Sequence, residues 1–364
     1  MTIANGISDW AEPSEAIYHS SMSEFVTLNE IRSAKERISG VAVRTLLYRL
    51  ERARLQMAGL AEPQYDLYIK AESEQPIGSF KLRGAYNMVS QLSPEARSRG
   101  VITYSSGNHA QGVAYAARAV GAKAIIVMPS NAPEVKKAAT KALGAEIVEV
   151  GPASSERRMK AEELVAKFGY AMIPPYDAKE IVAGQATCGL EIVEQLPDVD
   201  LVIAPVSGGG LLSGVATAIK LASQEGFASP DVKVWGAEPE LAADAKESFY
   251  SKTLVEWPAE KTVRTIGDGL RTQSLGVLNF AHVLRHVDGI VTVKEEEIYA
   301  ALRVILAATK LVAEPSGAVS LAAALFHAHE LPKAQKVAVV LSGGNLEPAL
   351  REKLMEQIES EAAV

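Results

Sequence analysis

Lys81 stands in "PIGSFKLRGAYNMV" (Pro76–Val89), where a mostly apolar helix should begin at about residue 81 and Gly78 and Ser79 loosen the chain just before it. A lysine kept for solubility belongs on the wet face of a helix. At a buried strand-to-helix junction its ammonium loses water, so its pKa falls and the free amine becomes a nucleophile and base near neutral pH. A second chemical feature is "LVIAPVSGGGLLSGVATAIK" from Leu201, an apolar strand running through Ser207, Gly208, Gly209 and Gly210 into a helix. Backbone N–H groups of such a turn, with those at the helix start, form a cradle for a phosphate. Glycines allow the close approach and the positive φ that a Cβ would forbid. The dinucleotide pattern fails, because Ser213 takes the place of its last glycine, and no G-x-x-x-x-G-K-[ST] occurs. A nucleotide is disfavoured.

Two further turns follow the same plan. "TYSSGNHAQGVAYAA" from Thr103 offers Ser105, Ser106, Asn108 and His109 around a helix N-terminus, which suits a small carboxylate. "KVAVVLSGGNLE" from Lys336 places Ser342 and Asn345 beyond the carboxyl end of an apolar strand, where open α/β sheets bind their ligands. A phosphate cradle, a carboxylate site and a buried lysine together fit one cofactor, pyridoxal 5′-phosphate (PLP).

The elements that must position these residues alternate along the chain. Seven apolar runs read as strands: "DLYIKA", "GVITYS", "AIIVMP", "AEIVEV", "LVIAPV", "KVWGAE" and "KVAVVLSGG". Most lack polar alternation, as strands covered on both faces do. Helical patterns lie between them and several end in glycine, which implies an α/β fold with parallel sheets. "TLNE" at Thr27–Glu30 is a capping box that should start a helix running through Ile38. The 364 residues are 48% hydrophobic, enough for one large or two medium domains, and the net charge of −7 disfavours nucleic acid as a partner. The single cysteine, Cys188, excludes an intrachain disulfide and a thiolate metal cluster. No signal peptide and no run of about 18 apolar residues is visible, so the expected setting is the cytoplasm, away from membranes.

"GSFKLRGAYN", "SSGNHAQG", "SGGGLLSG", "EPSGA" and "LSGGN", in this order, resemble the fold-type II PLP enzymes, and within them the threonine/serine dehydratases and serine racemases. The likeness spans roughly residues 40 to 346. It implies two open, twisted, mostly parallel sheets flanked by helices, with a small domain at 100–177 inserted in a large one at 1–99 and 178–364. The first forty residues would be an N-terminal extension. The resemblance makes Lys81 the cofactor-linked lysine and mover of the Cα proton, sets Phe80 against the cofactor ring and Asn108 at its phenolic oxygen. It assigns the phosphate to Ser207 through Leu211 and the pyridine nitrogen to Ser342. Ser106 would face the opposite side of the ring as a second acid/base, and Ser105, Asn108 and His109 would receive the substrate carboxylate. Arg157 corresponds to an arginine that approaches the ligand pocket in serine racemase. Glu238, the Ala242 carbonyl and Asp244 correspond to ligands of a divalent cation such as Mg²⁺.

The chain departs from this pattern in "TLL" (Thr45–Leu47), where "TPL" is usual, and it stops too soon after "LSGGN" for the regulatory domain of biosynthetic threonine dehydratases. The reaction implied is loss of water and ammonia from a β-hydroxy amino acid such as L-threonine or L-serine, leaving a 2-oxo acid. Racemisation through Ser106 and 3-hydroxyaspartate dehydration are the alternatives. Cysteine synthases carry "TSGNTG" where this chain has "SSGNHA", and a non-catalytic amino-acid sensor would not need Lys81. Relatives imply a homodimer or homotetramer.

Overall fold

The computed structural model describes residues 25–51, 65–105, 107–132, 134–151 and 154–362. Among the described residues, ten strands form two sheets. The larger is built from β1 (Leu47–Leu50), β2 (Asp66–Ala71), β7 (Leu201–Pro205), β8 (Lys233–Pro239), β9 (Gly289–Val293) and β10 (Lys336–Leu341), in the order β1-β2-β10-β7-β8-β9. Only β1 runs antiparallel, paired with β2. The smaller sheet uses β3 (Val101–Tyr104), β4 (Ala124–Pro129), β5 (Glu146–Val150) and β6 (Ala171–Met172), all parallel, in the order β5-β4-β3-β6. The mostly parallel α/β architecture expected from the sequence is therefore present. β1, β6 and β9 are additions to the seven strands read from it.

Every residue of β4 and of β7 is buried, which accounts for the apolar runs that made these strands legible. The helix at Leu28–Ile38 begins as its capping box requires, with Thr27 and Glu30 bonding each other reciprocally. It packs on the helix Lys179–Gln195, a nearly wholly buried segment. That central helix crosses the Lys81–Val89 helix at a point where two glycines meet. A Cβ on Gly184 would lie 2.6 Å from the Gly84 Cα, and one on Gly84 would lie 2.5 Å from Gln185 Nε2 and 3.0 Å from the Ile181 carbonyl, so a side chain at either position would force this crossing to shift.

Two residues after Lys81, the guanidinium of Arg83 enters a buried ionic cluster. It donates to both oxygens of Glu72 (2.7 and 2.8 Å), to both oxygens of Glu191 (2.7 and 2.8 Å) and to Thr187. Lys70 completes the set with Glu191 at 2.6 Å and the Thr45 carbonyl at 2.7 Å. Burial alone would raise the Glu72 carboxyl, but the Arg83 guanidinium outweighs it and holds Glu72 below the ordinary carboxylate range. Thr45, the residue that opens the unusual "TLL", donates its hydroxyl to Glu72 at 2.6 Å. The cluster clamps β2 and the Lys81–Val89 helix onto the central helix.

Candidate active site

Lys81 is the first residue of its helix, and Phe80 precedes it as the cap. The loop before them is zipped to the end of β10. Phe80 N–H donates to the Ser342 carbonyl at 3.1 Å, Gly344 N–H donates to the Gly78 carbonyl at 2.8 Å, and Ser79 bridges Gly343. Gly78 has φ +71°, so this turn needs a residue without a Cβ. The side chain of Lys81 is half-buried, its ammonium donates to the Pro175 carbonyl at 2.7 Å, and burial pushes its pKa down to about 8. Near pH 8 half the lysine is free amine, the form that attacks a carbonyl carbon or accepts a proton. Ser342 is buried at the carboxyl end of β10, on the same zipped loop.

The turn after β7 makes the cradle. Gly209 has φ +91° and caps the helix Gly210–Gln224. Among the described residues, the backbone N–H groups of Gly208, Gly209, Gly210 and Leu211 have no protein acceptor, so all four are left for a ligand. The turn is braced by residues that sequence reasoning did not single out. Thr272 hydrogen-bonds the Ser207 hydroxyl at 2.6 Å, Asn279 Nδ2 donates to the Gly208 carbonyl at 2.7 Å, and the Tyr176 ring lies against Gly208. None carried a local signal, since each acts from a distant part of the chain.

Asn108 opens the helix Asn108–Ala119, so that helix start presents its unpaired N–H groups beside the zipped loop. Its side chain joins two others: Asn345 donates to Asn108 Oδ1 at 2.7 Å, and Asn108 Nδ2 donates to Glu314 Oε1 at 2.6 Å. Glu314, the acid of "EPSGA", is pushed up to about 7, chiefly by burial and then by Asp268. The His109 ring is buried against the Ile173 carbonyl at 3.0 Å, and burial followed by the nearby Lys81 charge lowers it to about 3. It stays neutral in neutral solution. Ser105 accepts from Gly107 N–H, and Ser106 lies outside the described residues. Arg157 is half-buried on the helix Ser154–Phe168, with burial lowering its pKa, whereas Arg158 is exposed and pairs with Glu162 at 2.8 Å. Lys81, Phe80, Asn108 and Ser342 thus meet in one bonded cluster. The Pro175–Tyr176 segment links it to the Ser207–Leu211 turn.

A family model described as pyridoxal-phosphate dependent enzyme matches residues 38–343. The chain belongs to that family. Within the PLP-dependent enzymes, an L-threo-3-hydroxyaspartate ammonia-lyase of Saccharomyces cerevisiae is 41% identical over 281 residues, covering 77% of this chain and 83% of the relative. A serine racemase of Schizosaccharomyces pombe is 37% identical over 321 residues, covering 88% and 94%. The solved maize serine racemase is 34% identical with a TM-score of 0.82, covering 92% of this chain and 99% of that one. These likenesses place the chain among the dehydratases and racemases of fold type II, as an enzyme of the ammonia-lyase type.

The residues present fit PLP: a lysine with a lowered pKa, four unpaired N–H groups at a glycine turn, and a serine at the end of a buried strand. A second set of donors lies past β8. Glu238 and Asp244 are both buried, and Glu238 Oε2 and Asp244 Oδ2 have no hydrogen-bond partner. Burial, then the Asp244 charge, raises Glu238 well above the ordinary range, and burial raises Asp244 to about 7. Ala242 lies between them, closing a short turn at Glu240–Ala242. Among the described residues no three acidic, histidine or cysteine side chains form a metal cluster. Two carboxylates and a carbonyl are a smaller set, of oxygen donors only.

Proposed function

We propose that the chain removes water and then ammonia from β-hydroxy amino acids, giving 2-oxo acids, with Lys81 as the residue that carries the cofactor and moves the Cα proton. The observation that carries this reading is the Lys81 amine: lowered to about 8 by burial and held by the Pro175 carbonyl, one residue before the Tyr176 ring that lies against Gly208 of the turn. PLP, when bound, draws electrons from the substrate's Cα and makes its C–H bond acidic. Ser207 through Leu211 would hold its phosphate by backbone N–H groups, Phe80 would pack against its ring, and Asn108 and Ser342 would serve as hydrogen-bond partners for its phenolic oxygen and ring nitrogen. The substrate carboxylate is received by Ser105 and by the helix start at Asn108 and His109. Lys81, as the free amine, would take the Cα proton, and the β-hydroxyl would leave with one proton as water, so that the substrate loses H and OH overall. The released enamine adds water and breaks down to the 2-oxo acid and ammonia.

Residues 100–177 form the substrate-side lobe in this reading, inserted in a large lobe of 1–99 and 178–364. The preferred substrate is set by Arg157. Its half-buried guanidinium suits a second carboxylate, and a relative 41% identical acts on L-threo-3-hydroxyaspartate. The second reading, racemisation with Ser106 as proton donor on the opposite face, has the 37% identical serine racemase in its favour. Glu238, the Ala242 carbonyl and Asp244 would hold a divalent cation such as Mg²⁺, for which the two partnerless carboxylate oxygens are suitable hard donors. A homo-oligomer in the cytoplasm is the setting that accompanies these assignments.

The test is substrate discrimination. Arg157→Ala should lower kcat/KM for threo-3-hydroxyaspartate by about 10- to 150-fold, the worth of one charge-assisted contact, and barely change it for threonine. Small, equal changes for both would remove Arg157 from the pocket and leave serine and threonine as the substrates.

A further inference from the structure

Asn279 is wholly buried, and its side-chain amide spends both donors on backbone carbonyls. Nδ2 bonds the Gly208 carbonyl at 2.7 Å and the Tyr176 carbonyl at 3.2 Å, while Oδ1 is buried without a partner. An unpaired buried acceptor is costly, so the two donors must bring a compensating gain. The Gly208 carbonyl also accepts Gly276 N–H at 3.0 Å, from the residue just before the helix Val277–His286. Two donors therefore pull this one carbonyl toward that helix. In a trans peptide the C=O and the following N–H point in opposite directions, so holding the Gly208 oxygen inward turns the Gly209 N–H outward, into the cradle.

The amide's other partner belongs to the segment joining β6 to the helix Lys179–Gln195. Asp177 in that segment accepts the N–H groups of Val277, Leu278 and Asn279 at 3.0, 3.1 and 3.3 Å and caps their helix. Pro175, two residues earlier, holds the Lys81 amine. One amide thus ties the phosphate turn to the segment that touches the lysine. We propose that Asn279 is a positioning residue for the cofactor's phosphate: it orients the Gly208–Gly209 peptide so that the turn's N–H groups converge on the anion.

This inference rests on the turn being the phosphate cradle, and the test separates the two. Apoenzyme is titrated with PLP and, separately, with pyridoxal, which offers the same aldehyde to the lysine but lacks the phosphate. Asn279→Ala should weaken PLP about 10- to 100-fold while pyridoxal changes by less than about twofold. Asn279→Ser, which loses at least one of the two bonds, carries the same test if the alanine variant does not fold. Ser213→Ala serves as the control for disturbance of the surroundings, since its hydroxyl bonds the Asn279 carbonyl at 3.1 Å and leaves the amide alone. It should leave the preference for PLP over pyridoxal unchanged. Gly209→Ala strains the turn from within, because φ +91° excludes a side chain, and should lose PLP selectively. If Gly209→Ala loses PLP selectively and the Asn279 variants lose both ligands alike or neither, the role of Asn279 is wrong and the cradle stands. If none of the variants alters PLP binding, the cradle itself lies elsewhere and the inference goes with it.

Discussion

Two buried polar regions of this molecule follow opposite rules. Around Arg83, two cations and two carboxylates share one dry pocket, and every donor of the guanidinium meets an acceptor. Past β8, Glu238 and Asp244 lie close enough for one charge to raise the other, and each keeps an oxygen that bonds nothing. At the glycine turn after β7 the balance is also open, with four backbone N–H groups lacking acceptors among the described residues. Burial is the same in both regions; completeness differs. A buried charge set that is closed upon itself holds the scaffold, whereas one left open marks where something else must bind.

The largest effect should come from the open region. Lys81→Ala should lower turnover by about 10³-fold or more and prevent covalent cofactor capture, with the fold retained, because alanine suits the helix. Borohydride reduction that still fixed the cofactor to a different lysine would break the comparison. Arg83→Met should cost about 3–5 kcal/mol of stability, read from the urea midpoint, because Glu72 loses its cation and Glu191 keeps only Lys70. A cost below about 1 kcal/mol would mean that the cluster is not the clamp described.

The acidic pair should respond to metal. At a hundredfold excess over its Kd, Mg²⁺ should stabilise the EDTA-treated protein by about 2.7 kcal/mol, and Glu238→Gln should abolish that response. In EDTA the same substitution should leave stability unchanged or slightly higher, since it relieves like-charge repulsion. No effect of either cation or chelator on melting would remove the site. The smallest effect is in pH. Lys81 has its folded pKa lowered from 10.5 to about 8, so the unfolded chain binds more protons between those values, and stability from this group rises over that window. Covalent capture of PLP, which needs the free amine, should slow about tenfold per pH unit below 8 and level off above it. A midpoint near 10.5 in the capture rate would show that Lys81 is solvated.

What the sequence made legible was local. Lys81 after "GSF", the three glycines after β7 and the "TLNE" box each carry their meaning within a few residues, and the structure places each at the start of a helix. The clamp around Arg83 was illegible because its partners, Lys70, Glu72 and Glu191, lie in separate elements and no spacing connects them. Arg83 and Lys81 sit in the same motif, yet Arg83 is closed into a buried ionic cluster, whereas Lys81 is the residue proposed for the chemistry. Asn279 and Asp177 were hidden for the same reason, as ordinary polar residues whose work depends on where a distant carbonyl or helix start falls. β1 went unread because its pattern is half exposed and its pairing is antiparallel, outside the βα rhythm of the rest.

The zipper that joins Gly78–Phe80 to Ser342–Gly344 also sets a timetable for synthesis. β2, which leads into Lys81, takes β10 as its parallel neighbour, and the residues that close the lysine's loop, Ser342 to Gly344, are made about 260 residues after it. At about 5–20 residues per second, Lys81 leaves the ribosome some tens of seconds before its partners do. During that interval the lysine has neither its junction nor its lowered pKa, so it is an ordinary, protonated side chain with little reactivity toward aldehydes. If Lys81 carries the cofactor, loading is a late event, gated by arrival of the strand at Lys336–Leu341, and a nascent chain halted before that strand should leave PLP uncaptured.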